Sequence, residues 1–330
     1  MARIGVAFAG GMSPTEIVEC VRLAEELGYE SAWVAEGHGG DQFAILSACA
    51  VQTERILLGT SISSIFVRSV PTIAMAAASV DHLSGGRLIL GLGSSHKVQV
   101  EPEHGVVYRK PVQRMRESVE IIRTLLRDGQ VSYQGQEVNI DSFDLWFEPL
   151  RRDIPIYLSA VFPRMLETCG ELAQGTILVW STLESGRQAA EHVAVGARRA
   201  GRDPAEVDIV SLLPCSVAED RREAMDRLRP AAAFYAGFFP RYNRLMAESG
   251  FAEAAAAIRQ AWLTGDREGA TRLVPDDMVQ ALSLAGPAAD SRERLEAYRE
   301  SGIRLPVIFP VGGEPDGKAR VMEAIRACAP

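Results

Sequence analysis

Short apolar runs alternate with amphipathic segments along the chain. Residues 3–8 form a short strand-like run without a polar residue after Arg3, which is typical of a strand in a parallel sheet that is covered by helices. Ser13, Pro14 and Glu16 then predict a helix start, because they supply a cap, a preset first turn and a capping-box carboxylate. The chain therefore opens with a β-then-α unit.

The same unit recurs about eight times. The pattern predicts strands over residues 3–8, 31–35, 56–62, 87–92, 155–159, 176–180, 207–217 and 305–309. It predicts helices after Ser13 and over residues 42–53, 70–83, 112–126, 164–173, 183–200 and 290–301, the last with Asp290 as N-cap. This count favours an α/β fold of the closed (β/α)₈ TIM-barrel type over an open doubly wound sheet.

Two segments are too long for ordinary connections. Residues 129–152, after the fourth helix, predict a structured loop or a hairpin-like excursion over one end of the barrel. Residues 222–284 are Ala-rich and helical, which indicates a crossover helix plus a helical insertion at about residues 234–284. Without a clear linker or short-period repeat, we expect one domain over residues 1–330.

Composition narrows the class of function. The 330 residues carry a formal net charge of −8 without a run of Lys and Arg, which disfavours nucleic acid or an anionic membrane as the partner. No apolar stretch approaches the roughly 20 residues of a membrane-spanning helix, and the first residues lack the pattern of a signal peptide. The five cysteines are scattered and never spaced C-x-x-C, which predicts reduced thiols in a cytoplasmic protein and no metal-ligand set.

In a barrel, chemistry is expected in the loops that follow the strands. His96 follows the fourth strand, and His38 follows the second strand beside Glu36. A histidine at such a position is a candidate proton donor, because its ordinary pKa lies close to neutrality; a structural histidine is the alternative. Gly91-x-Gly93 resembles half of a dinucleotide fingerprint, but a tight strand-to-loop turn explains it better. Pro163 and Arg164 begin a helix that either binds an anion or simply starts there.

The loops also carry a family resemblance. Residues 81–87 read Asp-His-Leu-Ser-Gly-Gly-Arg and lead into the Gly91-x-Gly93 strand, with matching segments at residues 53–59, 68–71, 110–117 and 154–158. These motifs resemble those of the bacterial luciferase-like oxidoreductase superfamily. The chain is most similar to the branch that uses the deazaflavin coenzyme F420, such as methylenetetrahydromethanopterin reductase and the actinobacterial glucose-6-phosphate dehydrogenase.

The resemblance implies a (β/α)₈ barrel with a deazaflavin ring at the C-terminal mouth. It implies a non-proline cis peptide bond between Ser61 and Ile62, at the end of the third strand, beneath the ring. It implies further cofactor contacts from Ser64 through its hydroxyl, from the backbone of Ser94 and Ser95, and from the phosphate-side residues Val161, Phe162, Arg164 and Met165.

Two departures from the dehydrogenases concern the substrate. Glu36-Gly37 replaces their Asp-His pair, with His38 one residue later, and His96 replaces a Glu that acts as acid and base. The sequence thus predicts hydride transfer between F420 and a small carbonyl, imine or activated alkene. His96 would donate or accept the proton, with Glu36 or His38 as a polar partner.

Two alternatives stay open. One is a luciferase-like monooxygenase that uses FMN and O₂, and the other is a non-catalytic barrel relative. Lys97, Arg109 and Lys110 are candidates for the polyglutamate tail of F420, or they are ordinary surface charges. The resemblance also implies a homodimer through the helices at residues 42–53 and 70–83.

Overall fold

Eight parallel strands close into a barrel in the computed structural model, which describes residues 2–311 and 316–330. Each strand pairs in parallel with the next one, and the eighth strand closes the barrel by pairing with the first. The predicted barrel is therefore confirmed. The barrel strands are β1 (Gly5–Phe8), β2 (Ser31–Val34), β3 (Leu57–Thr60), β5 (Leu88–Gly93), β8 (Ile156–Ser159), β9 (Gly175–Val179), β10 (Asp208–Val217) and β12 (Leu305–Pro310).

Helices follow the strands and cover the outside of the barrel. In the first half they are α1 (Pro14–Glu26), α2 (Gln42–Gln52), α3 (Val70–Ser84), α4 (Lys97–His104) and α5 (Pro111–Asp128). In the second half they are α6 (Pro163–Leu172), α7 (Leu183–Arg199), α8 (Arg221–Phe238), α9 (Pro240–Met246), α10 (Ala252–Leu263), α11 (Arg267–Arg272), α12 (Asp276–Leu282), α13 (Ala288–Glu300) and α14 (Gly317–Ala327). No helix of the described residues is both long and apolar enough to cross a membrane.

The strands are apolar throughout because both of their faces are buried. In β1, Val6 and Phe8 pack against the surrounding helices, whereas Ala7 belongs to a second core inside the barrel. Trp33 of β2 fills much of that interior. The inner core continues into residues of α8 to α12, so the insertion covers one end of the barrel.

The excursion after α5 is a hairpin, but it does not lie over an end of the barrel as predicted. Its strands, β6 (Gln130–Gln134) and β7 (Asn139–Asp144), pair antiparallel. The hairpin runs along the outside of α5, because the Glu117 carboxylate accepts hydrogen bonds from the backbone amides of residues 136, 137 and 138. Arg114 of α5 also donates to the Glu137 carbonyl oxygen, at 3.2 Å.

Element ends differ from the prediction in a few places. The capping box of Ser13 and Glu16 is present, whereas Asp290 is not an N-cap: α13 begins at Ala288 after Pro287, and Asp290 lies in its first turn beside Arg221. The short strands β4 (Ser63–Ser64) and β11 (Leu284–Gly286), and the helices α4 and α14, were not predicted. Short elements carry too few periods for a hydrophobic pattern to reveal them.

Candidate active site

A cleft of about 500 Å³ opens where the barrel strands end. Its floor and walls come from several strands and include Ser61, Ile62 and Val179, while Tyr235 and Tyr242 of the insertion reach in from above. The peptide bond between Ser61 and Ile62 is cis, as the family resemblance predicts. The cleft thus combines the predicted end of the third strand with aromatic residues that the sequence analysis did not select.

Gly91 and Gly93 allow two strands to approach closely at this cleft. A Cβ atom on Gly91 would lie 1.9 Å from the carbonyl oxygen of Thr60, and one on Gly93 would lie 2.3 Å from Cγ1 of Ile62. Thr60 Oγ1 also donates to the Gly91 carbonyl oxygen at 2.7 Å and accepts from the Gly91 amide at 2.8 Å. The Gly-x-Gly motif therefore lets β5 pack closely on Thr60 and Ile62, and it is not a dinucleotide fingerprint.

Glu36 holds the loop that follows the third strand. Its Oε2 accepts a hydrogen bond from the Ser64 amide at 2.7 Å, and its Oε1 pairs with Nε of Arg68. Arg68 in turn lies 2.6 Å from Oδ2 of Asp41. The Ser64 hydroxyl oxygen accepts from the amides of Phe66 and Val67, each at 3.3 Å, so it is engaged within the same loop. Both predicted residues therefore shape the loop beneath the cleft.

His38 lies outside the cleft. Its side chain is 79% exposed, and Nε2 lies 3.2 Å from Oε2 of Glu103. The structure thus does not bring His38 together with His96 or with the cleft residues around Ile62.

His96 is the predicted residue whose surroundings differ most from expectation. Its ring packs 4.5 Å from Phe239 and 5.0 Å from Tyr242, measured between centroids, and its Nδ1 atom is buried without a protein partner. Burial, together with the nearby positive charge of Arg241, lowers the pKa of His96 to about 4. The imidazole is therefore neutral at pH 7, and the role of His96 as a proton donor or acceptor stays a prediction.

Ser94 and Ser95 form the turn between β5 and α4. Ser95 has a positive φ of 50°, which aims the chain into the helix. The Ser94 hydroxyl receives hydrogen bonds from Tyr108, at 3.2 Å, and from Arg241, at 3.3 Å. This turn joins the strand that packs on Ile62 to the ring of His96.

A second cavity, of about 640 Å³, lies beside the cleft and shares Val179 with it. Val161 and Phe162 contribute to its wall together with polar residues of α7, among them Ser185 and Gln188. Phe162 is the N-cap of α6, and the guanidinium carbon of Arg244 lies 4.6 Å from its ring centroid. Arg164 is exposed and Met165 half-buried in the first turn of α6.

All three candidate tail-binding cations already have a carboxylate partner, and Lys97 Nζ lies 3.7 Å from Oε2 of Glu101. Arg109 Nε and Lys110 Nζ lie 3.0 and 3.2 Å from the carboxylate of Glu137. They connect the hairpin to the start of α5 and so act as structural charges. Across residues 2–311 and 316–330, no group of three His, Cys, Asp or Glu side chains is arranged to hold a metal ion.

The functional side chains that the sequence analysis missed belong to the insertion. Tyr235, Phe239 and Tyr242 pack on one another, and Phe239 and Tyr242 also pack on His96. The available signal was a concentration of five aromatic residues between positions 234 and 242. Such a cluster also suits an ordinary core, so it became informative only once the barrel mouth was located.

Comparison with known proteins extends these observations. The sequence model of the family described as luciferase-like monooxygenase matches residues 2–305. A 5,10-methylenetetrahydromethanopterin reductase of Archaeoglobus fulgidus is 30% identical over 326 residues, which cover 97% of this chain and 96% of the relative. The predicted resemblance to the superfamily, and to its F420 branch, is therefore confirmed.

Solved structures agree with the fold. The coenzyme F420 dependent tetrahydromethanopterin reductase from Methanopyrus kandleri superposes with a TM-score of 0.87 at 27% identity, covering 99% of this chain and 98% of that one. A type II Baeyer-Villiger monooxygenase from Pseudomonas putida in complex with FMN superposes with a TM-score of 0.71 at 16% identity, covering 100% and 97%. The second likeness shows the fold alone. The prediction of an oxidoreductase enzyme is confirmed at the level of the family.

Proposed function

Since this chain belongs to the luciferase-like monooxygenase family, we propose that it is an oxidoreductase that uses coenzyme F420 to transfer a hydride to or from a small organic substrate. The substrate is a carbonyl, an imine or an activated alkene. The observation that carries the proposal is the cleft at the barrel mouth that Ile62, Tyr235 and Tyr242 line together.

The residues of the cleft fit a flat tricyclic ring. Most of its lining residues are apolar, and the buried hydroxyl of Ser61 has no partner among the described residues, so it is available to a polar ring edge. The second cavity supplies room for the phosphate and tail, with Val161, Phe162, Arg164 and Met165 at the start of α6. In this assignment Ser94 and Ser95 contribute backbone contacts, and Ser64 acts by shaping the loop beneath the ring.

When bound, the deazaflavin supplies hydride chemistry. Ile62 would support the ring, and Tyr235 and Tyr242, which line the same cleft, would exclude water from the reacting atoms. Nδ1 of His96 is the atom that accepts or donates the proton, because it is buried and has no hydrogen-bond partner among the described residues. As a neutral imidazole it takes a proton from an alcohol or amine, or polarises a carbonyl oxygen when Nδ1 carries the hydrogen. Glu36 is a positioning residue, because it acts through Ser64 and Arg68.

The test is a pair of titrations followed by absorbance and fluorescence, one with F420 and one with FMN. We expect a spectral shift and quenching with F420 only. Binding of FMN alone would favour the monooxygenase alternative, and binding of neither would favour a non-catalytic relative; either result contradicts the proposal.

A matched pair of glycine variants ties that binding to the cleft. Gly93→Val places side-chain atoms where Ile62 now packs and should abolish F420 binding. Gly10→Ala is the control, because a Cβ there meets nothing within 4 Å. Loss of F420 binding in both variants, or in neither, would show that the seat of Ile62 does not determine binding.

We also propose a homodimer through α2 and α3, in a cytoplasmic location. Val51, Met75 and Leu83 are 60%, 40% and 50% exposed on these helices, and the one Asp, Glu, Lys or Arg of the two helices, Asp81, is buried. A wide exposed face without such charges is typical of an interface. All five cysteines are buried and unpaired, which supports a reducing compartment.

Sedimentation analysis tests the dimer. The double variant Met75→Lys and Leu83→Lys should sediment as a monomer, because it buries two charges in the interface. Val195→Lys is the control, since Val195 is also 40% exposed but lies on α7. A dimer that survives the double variant would place the contact elsewhere.

A further inference from the structure

Arg241 is a partly buried cation at the barrel mouth. It lies in α9, where its Nη1 donates to the Ser94 hydroxyl at 3.3 Å, and its guanidinium carbon lies 5.5 Å from the Tyr108 ring centroid. No carboxylate among the residues that the structure describes pairs with it. A hydroxyl and an aromatic face leave most of the guanidinium donors and the whole charge available.

Other partly buried arginines of the chain make carboxylate pairs or hydrogen bonds to the backbone. Arg68, Arg116 and Arg151 pair with carboxylates. Others donate to backbone carbonyl oxygens instead: Arg87, Arg114, Arg123, Arg202, Arg259 and Arg294. Arg241 does neither, although a partly desolvated guanidinium gains most from a bidentate anion.

The surroundings of Arg241 add positive potential rather than offset it. The helix α4 begins at Lys97 without a side-chain cap, and the start of a helix carries partial positive charge. Arg244, three residues along α9, is neutralised by Glu248 at 2.7 Å, so Arg241 is the unpaired cation of the two. The neighbouring ring of His96 is neutral at pH 7 and contributes no charge of its own.

The position of Arg241 links it to the reacting region. Ser94, its hydrogen-bond partner, directly follows Gly93, which packs on Ile62. His96, two residues further, packs on Phe239 and Tyr242 on either side of Arg241 in sequence. Arg241 is therefore connected through Ser94 and Tyr242 to residues that line or pack on the cleft.

We propose that Arg241 is a specificity-determining residue that binds an anionic group, a carboxylate or a phosphate, of a molecule held at the mouth. This inference rests on the proposed function, because the anion belongs either to the substrate or to F420 itself. The arrangement selects anionic ligands over neutral isosteres, since a neutral ligand leaves the guanidinium charge without a partner.

The experiment uses binding rather than turnover. Arg241→Gln, Arg241→Lys and the control Arg272→Gln, an exposed arginine of α11 in the same insertion, are compared with the unmodified protein. The first arm measures the Kd of F420 and of its riboside fragment that lacks phosphate and glutamates. The second arm measures benzoate and its uncharged isostere benzamide by calorimetry, with F420 bound and again without it.

Each outcome assigns or overturns the role of Arg241. If Arg241→Gln weakens F420 by about tenfold or more but not the fragment, the anion belongs to the cofactor. If it removes a preference for benzoate over benzamide instead, the anion belongs to the substrate. In either case Arg241→Lys should keep part of the affinity or preference that Arg241→Gln loses, because lysine keeps the charge. Arg272→Gln should bind as the unmodified protein does.

The inference is overturned if Arg241→Gln, folded by its thermal transition, changes neither arm. Failure of the proposed function is distinguishable, because F420 would then bind to no variant, while the benzoate arm without F420 still reports on Arg241.

Discussion

The two sides of the barrel mouth are built in different ways. On the side of β2, β3 and β5, polar contacts and close backbone packing hold the loops, as in the hydrogen bonds of Glu36 and the seat that Gly93 gives Ile62. On the side of α8 and α9, aromatic rings pack on one another around Phe239 with few directional bonds. The first side fixes a geometry, whereas the second encloses a space and can change its shape between relatives without disturbing the barrel.

The largest effect is expected where β3 and β5 touch. Gly91→Ala would place a Cβ 1.9 Å from the Thr60 carbonyl oxygen, which cannot move without breaking strand pairing. We expect urea unfolding to show a loss of about 3 kcal/mol. Gly10→Ala, with open space around its Cβ, should change the free energy of unfolding by less than about 0.5 kcal/mol. Equal effects of the two variants would show that close packing does not define this side.

The next largest loss of stability is expected in the loop after β3, which Glu36 holds by hydrogen bonds. Glu36→Ala removes the acceptor for the Ser64 amide and the partner of Arg68, and should lower the free energy of unfolding by about 1–3 kcal/mol. The matched change His38→Ala, two residues away, should have almost no effect, because that side chain is 79% exposed. Urea denaturation of both variants checks this. A larger loss from His38→Ala would reverse the roles assigned to the two residues.

His96, which follows β5 and packs on the aromatic rings of the other side, should make the stability depend on pH. The pKa of His96 is about 4 in the folded protein, below its ordinary value of 6.5, so the unfolded chain binds the proton more readily between these values. His96 therefore reduces stability as pH falls from 6.5 towards 4. Replacing it with Gln should flatten the pH dependence of unfolding by about 1–3 kcal/mol over that range, since one pKa unit corresponds to about 1.4 kcal/mol.

The contribution of His96 is the difference in free energy of unfolding between the unmodified protein and His96→Gln at each pH. Other groups titrate in the same interval in both proteins, so their contributions cancel. Parallel stability curves for the unmodified protein and His96→Gln would contradict a depressed pKa at this position.

The smallest effect is expected in the aromatic side. Tyr242→Phe keeps the ring that lies 5.0 Å from His96 and removes only the hydroxyl. Its free energy of unfolding should stay within about 0.5 kcal/mol of the unmodified protein. Tyr242→Ala should open the cleft and raise the pKa of His96, measured by NMR, because water then reaches the imidazole. An unchanged pKa in Tyr242→Ala would show that the insertion does not enclose His96.

Much of the fold can be predicted from the sequence, because the patterns that indicate its strands and helices are local. The eight strands, the capping box at Ser13 and the helix at residues 112–126 each follow from a short pattern, and the structure contains them. The placement of the hairpin along α5 was not readable, because it depends on Glu117 meeting backbone amides some 20 residues later. Asp290 was misassigned for a related reason: Pro287 begins the helix earlier than the polar residue suggests.

The candidate site divides in the same way. Motif residues at strand ends, from Ser61 to Ser94, could be selected because a parallel barrel brings all such ends to one face. The protonation state of His96 could not be predicted from the sequence. Its pKa depends on burial by Phe239 and on the charge of Arg241, which lie about 145 residues later in the chain.

The amino-acid sequence by itself determined the barrel, its strand order and the family resemblance, since these depend on periodicity and on contiguous motifs. Only the tertiary structure decided which polar residues act together at the mouth. It separated Glu36 from His38, buried His96 beneath the insertion and gave Arg241 a hydroxyl partner but no carboxylate partner within residues 2–311 and 316–330. The reason is physical: charge, desolvation and proximity are properties of neighbours in space, and those neighbours come from distant parts of the chain.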